Sequence, residues 1–211
     1  MTLKRRDLIK GVATVVPATV ALGALNSGFT LAQAADFNND VDVLNYALTL
    51  EHLEAEFYRQ GNKAALLEGK EKEYLAKIQA DEETHVSLIT QTIQKLGGTP
   101  GPAPAVDFGS AFASRKSYLT LSHTFENKGV GAYLGAAGFI KDKAILQAAA
   151  GIFGVEARHA AIVGNLLQLS PEGGVYMGAF EAPIAKADIL KAVSPFIVGA
   201  SAMQGGAATT T

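Results

Sequence analysis

Apolar residues recur every three or four positions along four long stretches of the chain, and this spacing predicts four helices. The predicted helices cover about 40–60, 69–96, 112–138 and 142–169. In the first helix the apolar positions are Val43, Leu44, Ala47, Leu48, Leu50, Ala55 and Phe57. No stretch shows the sustained alternation of a strand, so the predicted fold class is all-α.

The residues around these helices predict where each helix begins and ends. Asn39 or Asp40 can cap the first helix, and Asp142 can cap the fourth. Gly61 is expected to end the first helix, and Gly97 follows the second. Short loops within each pair of helices predict two antiparallel hairpins. The Pro- and Gly-rich segment "GGTPGPAPAVDFGS" cannot be helical and is long enough to run the length of a bundle as a crossover.

The organisation along the chain is therefore a four-helix bundle over 35–170 with a less regular extension over 171–211. Within this extension, "KADILKAVSPFIV" predicts a short helix, and the last residues, "GGAATTT", are expected to fray.

The first 34 residues have the pattern of an export signal rather than of a folded segment. "KRRDLIK" holds the pair Arg5–Arg6, a mild apolar stretch follows, and Ala32-Gln33-Ala34 fits a cleavage site. The alternative, a retained membrane anchor, is weakened by the helix-breaking residues Gly11, Pro17, Gly23 and Gly28. We expect a cleaved twin-arginine-type signal, a periplasmic or extracellular protein, and no stable membrane anchor after cleavage.

Composition excludes several function classes. The formal net charge of −2 comes without a dominant basic patch, so nucleic acid is not an expected partner. Cysteine is absent, which excludes disulfides, thiolate metal sites, iron–sulfur clusters and thiol-based electron relays.

Two of the four histidines follow a glutamate by three positions, as Glu82-x-x-His85 and Glu156-x-x-His159. Residues three apart share a helix face, so each pair points the same way. The other helix of each hairpin carries a glutamate seven residues, or two turns, before a tyrosine: Glu51 before Tyr58 and Glu126 before Tyr133. The chain thus contains a degenerate internal repeat.

The register of the hairpins brings these groups to one height. The midpoint of Glu51 and Glu82 falls at 66–67, and that of Glu126 and Glu156 at 141, where the turns are expected. Four buried carboxylates need compensating charge, and two divalent cations would supply it. The pattern predicts a dimetal carboxylate centre with the ligands Glu51, Glu82, His85, Glu126, Glu156 and His159. Oxygen and imidazole ligands suit iron or manganese and do not exclude zinc; the alternative is a metal-free bundle with vestigial residues.

These motifs also carry a family resemblance. "LEHLEAEFY", "DEETH", "FENKGVGAYLGAA", "VEARHAAI" and "ILKAVSPFI" resemble the ferritin-like domain of desiccation-related and stress-induced proteins, over about residues 40–200. The resemblance implies a ferritin-like four-helix bundle with Glu82 and Glu156 bridging two metal ions. Glu51 and His85 would complete one ion's ligands, and Glu126 and His159 the other's.

The residues next to the ligands have several possible roles. By resemblance, Asp81 would orient His159, whereas the equivalent position in the other half is Val155. Three roles are open for Tyr58 and Tyr133. They would hydrogen-bond ligand carboxylates, they would donate electrons, or they would only fill the core. Lesser expectations are Glu54 as a rival ligand, His123 as a neighbour of the site, Arg158 paired with an acid across the bundle, and Glu56 and Glu83 solvated. The glycines Gly129, Gly131, Gly135 and Gly138 would permit close helix approach or open a path for a small oxidant.

Two functions follow from the predicted centre. The first is redox chemistry on O₂, peroxide or Fe²⁺ in stress protection, either manganese-catalase-like or ferroxidase-like. A rubrerythrin-like peroxidase is disfavoured because the chain has no thiolate iron site. The second is a non-catalytic desiccation, stress or envelope protein with a structural or vestigial metal site. The sequence is compatible with a homo-oligomer, shows no shell interface for storage, and does not choose between the metals.

Overall fold

Five helices make up most of the structure, a computed structural model that describes residues 37–199. They are α1 (Asp40–Lys63), α2 (Gly69–Lys95), α3 (Arg115–Ala137), α4 (Lys143–Leu166) and α5 (Lys186–Val193), followed by a 3₁₀ turn at Ser194–Phe196. Within the described range the β structure is limited to isolated bridges, such as that between Val106 and Ile197. The all-α prediction is confirmed. The expected export signal and the expected frayed end lie outside the described residues.

Three of the bundle helices begin after a polar residue whose side chain caps the first turn. The Asn39 side chain accepts from the backbone N–H of Asp42 at 3.0 Å, and Asp142 accepts from that of Ala144 at 2.7 Å. Ser114 caps α3, so this helix starts at Arg115 and not near residue 112 as expected.

The expectation that Gly61 ends the first helix is wrong. Helix α1 continues through Gly61 to Lys63. A Cβ atom at this position would overlap the ring of Tyr118, which is fully buried and donates a hydrogen bond to Asn62 at 3.0 Å. Gly61 is therefore a packing residue inside a helix rather than a terminator.

The topology is that of two antiparallel hairpins joined by a long crossover. At one end of the bundle, the backbone N–H groups of Lys141 and Asp142 donate to the Asp40 carboxylate at 2.8 and 2.9 Å. At the other end, Arg115 donates to Glu71 at 2.8 Å. The start of α3 thus lies beside the start of α2, at the opposite end from the point where α2 finishes. The segment 96–114 must run the length of the bundle, as predicted.

Apolar layers fill the bundle on both sides of its midpoint. In one layer the Phe57 ring lies 5.0–5.3 Å, centroid to centroid, from the rings of Tyr58, Phe108, Tyr118 and Phe125. The other layer is aliphatic and includes Leu44, Leu48, Ile89 and Ile93. The polar side chains at the midpoint therefore lie between two apolar layers.

The C-terminal extension packs on α3. The Ile184 N–H donates to the carbonyl of Gly131 at 2.9 Å, and a Cβ atom at either Gly131 or Gly135 would overlap Ile184. His123 bonds the Gly174 carbonyl at 2.8 Å, so it anchors the extension. The close approach that these α3 glycines permit is therefore by the extension and not by a neighbouring helix. None of the helices in residues 37–199 is long and apolar enough to span a membrane.

The glycine at 135 allows a stability test. We expect Gly135→Ala to lower the free energy of unfolding by about 1–3 kcal/mol, because the added methyl group overlaps the Ile184 backbone. The matched control is Gly151→Ala on α4, where no atom lies within 4 Å of the new Cβ. This control should be neutral or stabilising by up to about 1 kcal/mol. Urea unfolding of both variants measures the difference, and equal effects would contradict the packing described for the extension.

Candidate metal centre

Six polar side chains from all four bundle helices meet at the midpoint of the core. Helix α1 supplies Glu51 and α3 supplies Glu126, one from each hairpin. Helices α2 and α4 each supply a glutamate and a histidine one turn apart. All are buried, with exposed fractions between 0% and 6%: Glu51, Glu82, His85, Glu126, Glu156 and His159. The structure thus brings together every side chain that the sequence predicts as a ligand.

The six side chains form two overlapping groups. One group is Glu51, Glu82, His85 and Glu156, and the other is Glu82, Glu126, Glu156 and His159. In each group one nitrogen or oxygen atom per residue lies within 4.8 Å of the others. Glu82 and Glu156 belong to both groups, which is the placement required of bridging carboxylates.

The two histidines point the same nitrogen into the cluster. Nδ1 of His85 lies 3.1 Å from oxygens of Glu51 and Glu82 and 3.3 Å from Glu156. Nδ1 of His159 lies 3.0 Å from Glu82 and 3.3 Å from Glu126. Each imidazole therefore faces carboxylates from two or more helices.

Several of these atoms are buried without a hydrogen-bond partner, which tests whether the cluster fits metal ions. Among the described residues, these atoms are Oε1 of Glu82, Oε2 of Glu126, both carboxylate oxygens of Glu156 and Nδ1 of His159. Their close contacts lack hydrogen-bond geometry, so lone pairs converge without donors between them. Buried polar atoms are normally satisfied, and a cation would satisfy several at once. The donor set and its convergence fit a dimetal carboxylate site.

The two tyrosines predicted beside the site reach across to the opposite hairpin. Tyr58 donates to Glu126, and Tyr133 donates to Glu51. Burial, reinforced by these glutamates, raises the pKa of both phenols well above the ordinary value. Both phenols therefore stay protonated and act as hydrogen-bond donors that orient the glutamates of α1 and α3.

The partners of the two histidines differ. Nε2 of His159 lies 3.2 Å from the Asp81 carboxylate, whose side chain is 53% exposed. In the other half the equivalent residue is Val155, and no described residue provides an acceptor within hydrogen-bond distance of Nε2 of His85. The two halves of the centre are therefore inequivalent in their outer contacts.

Burial changes the protonation of the centre. Burial raises the pKa of Glu82 well above its usual range, and it raises that of Glu156 to about 8. Burial acts to lower the pKa of His85, but its close contacts with the Glu156, Glu51 and Glu82 carboxylates outweigh burial and raise the pKa to about 12. Burial likewise opposes the interactions with Glu126 that raise the pKa of His159 to about 9. Without metal, the cluster compensates its charge by holding protons.

Glu54 is a fifth acid that is buried beside the cluster, although it belongs to neither ligand group. It lies one turn from Glu51 on α1 and lines a small pocket together with Ile189 and Val193 of α5. Burial, with Glu156, Glu126 and Glu51 nearby, raises its pKa well above the ordinary value.

Gly129 keeps room for these acids. A Cβ atom there would lie 2.8 Å from an oxygen of Glu156 and 3.6 Å from an oxygen of Glu54. This glycine therefore serves the site, whereas Gly131 and Gly135 serve the extension.

Sequence reasoning missed one polar neighbour. The hydroxyl of Ser122 is fully buried and lies 2.7 Å from that of Tyr58. Its position one turn before Glu126 on α3 was a signal that could have identified it. Arg158 is exposed and donates to the Gly154 carbonyl of its own helix at 2.8 Å. Its expected ion pair across the bundle is absent from the part of the chain that the structure describes.

Comparison with known proteins agrees with the fold and the cluster. A family model described as a ferritin-like domain matches residues 39–169. The chain belongs to the ferritin-like domain family. The family resemblance inferred from the motifs is confirmed at this level, while a closer relation of this ferritin-like domain to desiccation-related proteins stays a prediction.

One similar solved structure is the bacterioferritin-related protein from Bacteroides fragilis, described as a dodecameric thioferritin. It superposes on the ferritin-like chain with a TM-score of 0.53 at 25% sequence identity, covering 61% of this chain and 83% of that one. Comparison with curated protein sequences found no match.

The raised pKa values predict how the stability of the metal-free protein depends on pH. The pKa of Glu156 rises from 4.5 to about 8 and that of His159 from 6.5 to about 9, so the folded state holds more protons than the unfolded state in this range. Stability contributed by these protons is present at low pH and is lost as pH rises through the folded values. We expect the urea midpoint of chelator-treated protein to fall between pH 5 and pH 9.

Two variants make this test specific. Glu156→Gln removes one titrating group and should flatten the dependence, whereas Glu83→Gln, at a partly exposed side chain, should leave it unchanged. A midpoint that rises over the same range in wild-type protein would contradict the protonation described for the cluster.

Proposed function

We propose that the ferritin-like domain holds two divalent metal ions, iron or manganese, in the cluster at the bundle midpoint. The observation that carries the proposal is the pair of overlapping ligand groups that share Glu82 and Glu156. Four carboxylates would bring four negative charges, and two divalent cations would balance them. Zinc would satisfy the same ligands, because oxygen and imidazole donors do not select strongly among these metals.

Each residue would have a defined part in this centre. Glu82 and Glu156 would bridge, while Glu51 with His85 and Glu126 with His159 would each complete one ion's ligands. For His159, Nε2–H would donate to Asp81, which leaves the lone pair of Nδ1 directed into the cluster.

The redox proposal follows from the metals that such ligands suit. Two adjacent iron or manganese ions, when bound, would supply reversible changes of oxidation state and sites for a small oxidant. The protein would contribute a water-poor core, and Tyr58 and Tyr133 would hold Glu126 and Glu51 in place as hydrogen-bond donors. Ferroxidase-like and catalase-like reactions, on Fe²⁺ with O₂ or on peroxide, are the reactions that we propose.

Location would connect this chemistry to stress protection. Residues 1–34 read as a twin-arginine-type signal, although they lie outside the described structure. Because that route exports folded proteins, the centre could be loaded before the chain reaches the periplasm or the extracellular space. The Bacteroides fragilis relative is described as dodecameric. We therefore include a homo-oligomer in the proposal.

A second candidate is a non-catalytic stress or envelope protein in which the metal ions only stabilise the fold. The deep burial of the cluster favours it, since none of the six side chains is more than 6% exposed. Metal analysis and turnover assays separate the two functions.

The proposed centre predicts the metal content of the protein. Protein purified from its own cell envelope should contain about two iron or manganese ions per chain, as in dimetal carboxylate bundles. Glu82→Gln should reduce this to less than one ion, because it removes a ligand shared by both groups. Glu83→Gln, the neighbouring acid, should match wild type. Elemental analysis decides the outcome, and near-zero metal in wild-type protein would remove the proposed centre.

The redox proposal predicts turnover of Fe²⁺ with O₂ or of peroxide. A ferroxidase-like protein should consume O₂ when Fe²⁺ is added, and a catalase-like protein should release O₂ from peroxide. Either activity should drop by about 100-fold or more in Glu82→Gln, in proportion to the catalysis that metal centres supply. An oxygen electrode measures both reactions. Metal-loaded wild-type protein that is inactive in both assays would favour the structural role.

A further inference from the structure

An apolar cavity of about 170 Å³ lies inside the bundle, between the cluster and the end where α1 begins. Side chains from all four bundle helices line it. Its volume follows from the small residues that face it, which are Ala47, Ala132, Ala136, Ala148 and Ala149. Methyl groups at these positions cannot fill the space that larger residues would occupy.

The cavity runs from the surface toward the metal ligands. Leu88 on α2 and Ala148 on α4 line it and are exposed, so it reaches the surface between these two helices. At its inner end it is lined by Leu50, the residue next to Glu51, and by the ring of Tyr133. The hydroxyl of the same tyrosine donates to Glu51. One side chain therefore separates the cavity from a carboxylate of the cluster.

The walls favour an apolar occupant. Three wall residues carry a hydroxyl, namely Tyr46, Thr92 and Tyr133. The hydroxyls of Thr92 and Tyr133 are already engaged, by the Leu88 carbonyl at 2.8 Å and by Glu51. Enclosed apolar cavities of about this volume bind molecules such as xenon or benzene, and the walls of this cavity are of the same aliphatic and aromatic kind. Ions such as Fe²⁺, and polar molecules such as hydrogen peroxide, would lose hydration there without gaining partners. Of the small reactants considered for the centre, dioxygen is the apolar one.

We propose that this cavity is a dioxygen-binding site and the route by which dioxygen enters from between α2 and α4 to the cluster. The role in supply rests on the proposed redox function, whereas the affinity for an apolar gas does not. Peroxide and Fe²⁺ would reach the centre by another path. The cavity would then control the reaction with dioxygen separately from the reaction with peroxide.

Xenon is the probe for the cavity, because it binds by size and apolarity alone. In ¹²⁹Xe NMR of the full-length protein as purified, wild type should show saturable binding. Ala149→Phe places a ring in the cavity and should abolish it. The matched control is Ala150→Phe, at the next residue of the same helix, which is exposed and does not line the cavity. Ala148→Phe, at the exposed mouth, is a second blocking variant if Ala149→Phe does not fold, as judged by circular dichroism.

The same variants test the route. At limiting O₂, metal-loaded Ala149→Phe or Ala148→Phe should react with dioxygen about threefold or more slowly than wild type, because access is obstructed. The peroxide reaction should not change, and Ala150→Phe should match wild type in both.

Absence of saturable xenon binding in wild type, or equal binding in the blocked variants, would overturn the proposal. Lost xenon binding with an unchanged dioxygen rate would overturn the route. The failure of the proposed redox function looks different: wild-type metal-loaded protein would then consume no dioxygen, whatever the state of the cavity.

Discussion

The structure depends on the burial of four carboxylates at one level of an apolar core. Removing a charge from water costs several kcal/mol unless protons, hydrogen bonds or metal ions compensate it. The cluster carries the signs of this constraint: raised pKa values at Glu82 and Glu156, and buried oxygens without donors. Protons offset the charge in the metal-free protein, and two divalent cations would offset it in the loaded one. Metal binding would therefore replace protons with cations as the groups that balance the carboxylate charge.

The regular register of the two hairpins places the charged residues at one level of the bundle. In antiparallel helices the residue numbers at one level have a constant sum, and Glu51 with Tyr133 and Tyr58 with Glu126 both give 184. The same spacing that places a tyrosine two turns from its own glutamate therefore places it beside the glutamate of the other hairpin. Each hairpin supplies donors for the other's ligand, which links formation of the site to packing of the whole bundle.

The two hairpins are alike in their ligands but differ in the residues that surround these ligands. Asp81 contacts His159, whereas the equivalent Val155 gives His85 no partner. The extension packs on α3, and Ile189 and Val193 of α5 line a small pocket together with Glu54. On the α2–α4 side, alanines leave a cavity that reaches the surface. The surroundings of the centre therefore differ from side to side, with α5 near Glu54 and an apolar cavity near Tyr133.

The sequence by itself determined the helices, the hairpin turns and the level at which Glu51, Glu82, Glu126 and Glu156 meet. These follow from periodicity and spacing along single helices, which are local properties of the chain. Tertiary structure decided which tyrosine serves which glutamate, that Gly61 lies inside a helix, and that Glu54 is buried. These features depend on residues distant in the chain, such as Tyr118 against Gly61 and Ile189 near Glu54. Packing between segments far apart in sequence leaves no periodic signal, so only the folded chain could show it.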